Sequence, residues 1–346
     1  MRGEAVRIEK SCIYSCDNLI IVKRKDMIEP ITLCCEAERD ILFREWGIML
    51  MLSSLAATIW ANHRLEWGQR TYVMGIVNVT PDSFSGDGLG ANATTEEALV
   101  QRAIAQAQRF VSEGATFIDI GGESTRPRAL PVSIELELAR VVPVIKALRG
   151  VLPPEIIISI DTYKAEVARQ ALELGADMIN DIWALRHDPE MAEIAHKHCV
   201  PVVLMANMLG YHKREIVSDV IRLLSSAMDH ALAAGIAWEH LIIDPGIGFG
   251  TTPEENLTLL RRLGELRVLG RPILLGNSRK STIGRVLGGL PASERLEGTA
   301  ASVALGIAQG VDIVRVHDVR EMMRVVKMSD AIVRGTFELS PLPAGR

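Results

Sequence analysis

MGIVNVTPDSFSGDG, residues 74–88, carries the decisive signal. An apolar, strand-like run ends there in Asn78, Thr80, Pro81, Asp82 and Ser83, with glycines at 86 and 88. A buried strand that opens abruptly into a polar, glycine-containing loop is how a parallel α/β barrel presents its active-site edge. Four later stretches repeat the design: FIDIGGESTRP (117–127), IIISIDT (156–162), LIIDPGIGFG (241–250) and ILLGNSRKS (273–281). One such junction is weak evidence. Five along one chain favour an enzyme over a binding or scaffold module.

Working outward, the strand, loop, helix rhythm is regular from Tyr72 onward. The predicted strands are 72–79, 116–121, 156–161, 178–182, 201–206, 240–245, 272–276 and 312–317. Helical patterns follow each. In 95–113, Thr94 or Thr95 suits the cap and Glu96 and Glu97 suit the positive first turn. Leu99, Ala103, Ala107, Phe110 and Val111 then recur at helical spacing. Further helices are expected over 134–149, 165–174, 189–198, 215–234, 254–269, 292–309 and 319–332. Gly114, Gly175, Gly235, Gly270 and Gly310 stand where helices end, since glycine tolerates the left-handed conformation that closes them. Eight βα units in about 260 residues predict an eight-stranded parallel (β/α)8 barrel. A doubly wound open sheet is the alternative, and no G-x-G-x-x-G follows the first strand to support a dinucleotide fold.

The first 66 residues lack this rhythm and read as an N-terminal extension, partly helical or poorly ordered. The barrel domain is expected over 67–338, with a tail over 339–346. Four of the five cysteines (Cys12, Cys16, Cys34 and Cys35, but not Cys199) fall in the extension, and their spacing matches no strong zinc signature. Free thiols suit a reducing cytoplasm. The stretch 48–61 is apolar but shorter than the ~20 residues that span a bilayer. A buried or surface-docked helix is expected there, with no stable membrane insertion. The 346 residues are 48% apolar and 23% charged, which excludes bulk disorder. A net charge of -5, without a Lys/Arg block, argues against nucleic acid as a partner.

A barrel gathers the carboxyl ends of its strands at one mouth. Asn78, Asp119, Glu123, Asp161, Asn180, Met205, Asp244, Lys280, Arg315 and His317 are expected there. Acids with Asn180 suit a planar, nitrogen-rich ring, because carboxylates accept from adjacent ring N–H and amino donors. Arg126, Arg279, Lys280, Arg315 and His317 suit a polyanion. Plainer readings stand beside these. Asp119 and Asn180 can satisfy neighbouring backbone or core groups. Asp161 can cap the next helix, Asp244 before Pro245-Gly246 can form an Asx turn, and Phe249 can be a packed loop aromatic. GNSRKS (276–281) is the sharpest anion signal: Gly276, Ser278, two cations and Ser281 at a helix entrance. It lacks the spacing of a nucleotide P-loop.

With these motifs in order (MGIVNVTPDSFSGDG, GGESTRP, SIDT, NDI, DPGIGFG, SRKS and RVHDV), the chain from about Leu65 to Val333 resembles the dihydropteroate synthases. The resemblance implies condensation of 6-hydroxymethyl-7,8-dihydropterin pyrophosphate with 4-aminobenzoate, giving 7,8-dihydropteroate and pyrophosphate in folate synthesis. It implies a transferase in which Asn78 helps hold Mg2+-bound pyrophosphate and no covalent enzyme intermediate forms. Asp161, Asn180, Asp244 and Lys280 would bind the pterin, with Met205 lining its pocket. Thr125, Arg126 and Pro127 would belong to the loop closing over aminobenzoate, with Ser278 and Phe249 nearby, and Gly276 would be a further substrate-binding residue. Arg315 and His317 would grip pyrophosphate with Arg126. Asp161, Asp244, Lys280 and Arg126 are the residues nearest the chemistry. Sulfonamides would occupy the aminobenzoate pocket. A homodimer through outer helices is expected, on a small-residue face of Thr299, Ala300, Val303, Ala304, Ile307 and Ala308. The chain departs from the family at Thr251, usually Lys, at Ala206-Asn207 after Met205, where His is usual, and at Thr282, usually aromatic. A pterin-dependent methyl transferase and a catalytically silent pterin-binding paralogue are the competing functions.

Overall fold

The computed structural model describes residues 55–80, 96–124 and 130–337, together with the backbone of four short strands between residues 7 and 28. The chain divides into two compact units, Met1–Ser54 and Leu55–Arg346. In the first, Arg7–Ile8, Ser11–Cys16, Leu19–Arg24 and Met27–Ile28 pair in succession as an antiparallel sheet. The described part of the extension is thus strand, where the sequence suggested helix or disorder.

The second unit is built on eight parallel strands: β1 (Tyr72–Asn78), β2 (Phe117–Gly121), β3 (Ile157–Asp161), β4 (Met178–Asp181), β5 (Val202–Met205), β6 (Leu241–Asp244), β7 (Leu274–Leu275) and β8 (Ile313–Val316). Their order is 6-5-4-3-2-1-8-7, and a single parallel bridge, Ile243 to Ile273, joins the two ends. The closure is thin because Pro272 brings no N–H to the ladder; its carbonyl accepts from Ile243 instead, at 3.0 Å. All eight strands fall within the stretches predicted from sequence. Each of β2 to β7 is buried along its whole length. Burial on both faces explains the near-continuous Ile, Val and Leu runs.

Helices α1 (Glu96–Ser112), α2 (Ile134–Val151), α3 (Ala165–Glu173), α4 (Met191–His198), α5 (Ile216–Ala233), α6 (Pro253–Arg261), α7 (Ser281–Val286), α8 (Leu296–Ala308) and α9 (Val319–Val333) surround the strands. The proposed caps Thr94 and Thr95 lie outside the described residues. Thr252 caps α6 with a reciprocal Glu255 contact, which fixes the exit from the β6 loop. The five helix-closing glycines all have positive φ, from 64° to 105°.

The barrel unit begins at Leu55, ahead of the boundary expected at residue 67. The described part of the apolar stretch 48–61 forms a strand, Thr58–Trp60, hairpinned onto His63–Leu65 through a turn at Ala61. This corrects the helix expected there. The hairpin seals the amino-terminal end of the barrel. Thr58 Oγ1 donates to the Glu239 carbonyl before β6 at 2.6 Å, and Trp60 Nε1 donates to the Asp177 carbonyl before β4 at 2.9 Å. Trp60, Leu65 and Trp67 join the main core, each apolar side chain stabilising it by about 1.5–3 kcal/mol.

Candidate active site

Strand register decides which polar residues meet. Asp119 lies opposite Ser159, Gly121 opposite Asp161, and Asp161 opposite Asn180. Arg315 on β8 reaches across the barrel: Nε donates to Asp119 Oδ2 at 2.6 Å and Nη2 donates to Asp161 Oδ2 at 2.5 Å. Asn180 Nδ2 donates to the same Asp119 oxygen at 3.2 Å. Asp119 is wholly buried. Its structural reading therefore holds, in a specific form: it fixes Arg315 and Asn180 beneath the mouth.

The outer oxygens behave differently. Asp161 Oδ1 and Asp119 Oδ1 are buried and accept no hydrogen bond. Burial, opposed by Arg315 and reinforced by Asp119, raises the Asp161 carboxyl to about 7. Burial likewise lifts Asp244 to about 6, against the Gly246 N–H, Lys280 and Arg315. Asp244 Oδ1 accepts from Gly246 N at 2.7 Å, so the Asx turn is real. Its Oδ2 lies 3.6 Å from where a Cβ on Gly276 would stand, so Gly276 keeps that carboxylate face open. Gly121 does the same between Asp161 Oδ2 and Asn78 Oδ1, each 3.7 Å from its missing Cβ.

An apolar wall stands beside these carboxylates. Tyr163, Ile182 and Met205 are buried together, with Trp183 and Phe249 packed against them. The Lys280 ammonium sits 4.2 Å from the centre of the Phe249 ring. Tyr163, Ile182 and Trp183 are additions to the sequence-based list. Their signal was position, since each closely follows a strand that ends in an acid. His317 Nδ1 and Ser278 Oγ are 3.0 Å apart, and the His317 N–H donates to the same hydroxyl at 3.2 Å.

Three charged residues expected near the mouth are engaged within the chain. Arg315 is paired with two carboxylates, those of Asp119 and Asp161. Arg279 makes a paired contact with Asp318 through Nε at 2.9 Å and Nη2 at 2.5 Å. Glu123 is held by Lys164 Nζ at 2.5 Å and by the Tyr163 hydroxyl at 2.7 Å. Asp181 turns away from Asn180, accepting from the Trp183 and Leu185 backbone. Thr125, Arg126 and Pro127 lie outside the described residues. Two family departures, Thr251 and Thr282, meet on one buried side chain, Asn256.

A parallel barrel whose strand ends gather orphaned carboxylate oxygens, an amide, a lysine and an apolar wall defines an enzyme that grips a flat heterocycle. Residues 74–317 match the family model described as pterin binding enzyme. A dihydropteroate synthase of Bacillus subtilis is 46% identical over 269 residues, covering 78% of this chain and 91% of the relative. The structure of a dihydropteroate synthase from Clostridium difficile, determined in the presence of pteroic acid, superposes with a TM-score of 0.73 at 48% identity, covering 78% of this chain and 99% of that one. A Xanthomonas albilineans dihydropteroate synthase with 4-aminobenzoic acid also gives 0.73, at 40% identity over 81% of this chain and 98% of the other. The chain belongs to the dihydropteroate synthase family of pterin binding enzymes.

Proposed function

We propose that this barrel mouth joins 4-aminobenzoate to 6-hydroxymethyl-7,8-dihydropterin pyrophosphate. The amine nitrogen forms a bond to the exocyclic methylene carbon as that carbon's bond to the pyrophosphate oxygen breaks. Pyrophosphate leaves with the electron pair, and the amine proton is lost to solvent. The observation that carries this reading is Asp161 Oδ1, a buried carboxylate oxygen without a donor. A pterin ring N–H supplies one. Asp244 and Asn180 offer further polar contacts on either side, and the wall of Met205 and Phe249 covers the ring face. Lys280, beside Phe249, sets a cation at the junction of ring and leaving group. His317 and Arg315, with Arg126 from the stretch after β2, are assigned to pyrophosphate, and Ser278 lies beside His317. Catalysis then rests on alignment and on stabilising charge as it gathers on the leaving group.

Magnesium belongs to this reading as part of the pyrophosphate substrate. No group of three or more His, Cys, Asp or Glu among the described residues could hold a metal. Mg2+ keeps several waters and takes phosphate oxygens, so a single protein oxygen at Asn78 fits its chemistry. Bound there, it would neutralise charge on the leaving group. We place the enzyme in a reducing cytoplasm, in keeping with the free, exposed thiol of Cys199. No helix among the described residues is long and apolar enough to cross a membrane.

A homodimer is part of the proposal, on a different face from the one expected. Thr299, Val303 and Ile307 are buried inside the chain. The outward side of α8 and α9 shows Leu305, Met328 and Ile332, 62–72% exposed, and this apolar patch suits a second copy. Light scattering that gives one monomeric mass across a wide concentration range would overturn it.

The activity test supplies purified protein with pterin pyrophosphate, aminobenzoate and magnesium, with product followed by chromatography. Product formation excludes a silent paralogue, and the absence of a methyl donor excludes methyl transfer. Absence of product from folded, pterin-binding protein refutes the synthase reading. Asp161→Ala should weaken binding of the pterin alone, whereas Lys280→Ala should also weaken pyrophosphate binding.

A further inference from the structure

The β6 loop is held by a chain of hydrogen bonds that nothing in the reaction itself requires. Gly246, Gly248 and Gly250 all have positive φ, from 71° to 83°. The loop is pressed onto the segment after β5, for a Cβ on Gly246 would lie 2.0 Å from the Ala206 carbonyl. This packing turns Phe249 toward the mouth. Behind it, Gly248 N donates to Thr251 Oγ1 at 3.1 Å and to Asn256 Oδ1 at 2.9 Å. The Thr251 hydroxyl donates to Asn256 Oδ1 at 2.6 Å, and Asn256 Nδ2 donates to Thr282 Oγ1 at 2.9 Å. Asn256 and Thr282 are each 2% exposed. Thr282 lies in the first turn of α7, and Lys280 is the cap residue of that helix.

One path of bonds therefore runs from the backbone beside Phe249 to the helix turn that carries Lys280. Its two ends meet again at the mouth, where the ammonium lies over the ring. We propose that Thr251, Asn256 and Thr282 act as one brace that sets the spacing of Phe249 and Lys280, making Thr251 and Thr282 positioning residues for the pterin. The proposal rests on the assignment of Phe249 and Lys280 to the pterin site. The two hydroxyls act unequally. Without the Thr282 oxygen, Asn256 Nδ2 becomes a buried donor with no acceptor. Without the Thr251 hydroxyl, Asn256 Oδ1 still accepts from Gly248. Both losses let the loop and the helix move apart.

The test compares Thr251→Val, Thr282→Val and the double variant with Thr251→Ser, Thr282→Ser and Lys280→Ala in the full chain. Each valine should raise KM for pterin pyrophosphate, about tenfold at position 282, equivalent to about 1.4 kcal/mol, and less at 251. KM for aminobenzoate and kcat should stay within twofold, and each serine should restore the native values. The double variant should fall short of the product of the singles, as expected for one coupled unit. If Lys280→Ala leaves pterin KM unchanged, the site assignment fails and the brace with it. If Lys280→Ala raises pterin KM while both valine variants stay within twofold of wild type, the brace alone is refuted. A lowered Tm without any change in pterin KM also refutes it. Should Thr282→Val not fold, the half-buried Thr251→Val decides by the same twofold criterion.

Discussion

Replacing Asp119 by asparagine separates the fixed part of the carboxylate network from the part that meets substrate. Asp119 and Asp161 each place an oxygen on the Arg315 guanidinium, at 2.6 and 2.5 Å. Two such oxygens stand roughly 5 Å apart, where Coulomb's law with an effective dielectric of about 20 gives about 3 kcal/mol of repulsion, or about 2 pKa units. The substitution removes that repulsion, so the Asp161 carboxyl should fall from about 7 toward the ordinary carboxylate range. In the proposed complex the pterin ring N–H donates to Asp161, and the ionised carboxylate is the far stronger acceptor. Native affinity should therefore drop roughly tenfold from pH 8 to pH 6, and the variant's by only about 10%. The stability sign is also defined. A folded-state pKa above the unfolded value near 4 favours folding below that pH, and the contribution is lost as pH rises to about 7. Asp119→Asn should flatten that slope, while losing one charge-assisted hydrogen bond worth about 1.5–3 kcal/mol. Calorimetry with 6-hydroxymethylpterin from pH 5.5 to 8.5, beside urea melts at the same pH values, measures both effects. An acid limb that stays in place in a folded Asp119→Asn protein would falsify the network reasoning.

Lys164 lies between Glu123 and Glu137, both bonded to its ammonium, with the Glu137 side chain 1% exposed. Lys164→Met should cost about 3–5 kcal/mol in urea melts, and adding Glu137→Gln should recover part of it; equal stability of single and double variants would contradict this. Gly246→Ala drives a Cβ to 2.0 Å from the Ala206 carbonyl and should lower kcat/KM on the order of a hundredfold while keeping a cooperative melt. Unchanged turnover would mean that the loop's shape is not needed. A chain starting at residue 55 should melt cooperatively, whereas one starting at 67 loses Trp60 and Leu65 and should be destabilised by about 3–6 kcal/mol. Matching melting temperatures for the two would show that the hairpin is dispensable.

Much of this protein was legible in one dimension. Hydrophobic runs ending in Asp161, Asp181 and Asp244, with glycines closing the intervening helices, specify eight βα units, because strand burial and helix termination depend on local residue choice. The same local order brought Asn78, Asn180, Met205 and Asp244 to strand ends, and Lys280 to the helix cap that follows β7. What the sequence left open was pairing across the barrel. The choice between Asp119 as a core acid and as a ligand, the pairing of Arg279 with Asp318, and the seating of Arg315 on two carboxylates depend on register between strands up to 196 residues apart. The hairpin at 58–65 was misread as helix because apolar content alone does not give a period, and tryptophan contacts with the barrel floor decide its form. The join between Thr251 and Thr282 was likewise invisible. Each looks like an isolated departure until folding places Asn256 between them, because a hydrogen bond depends on distance in space and carries no mark in the spacing of the chain.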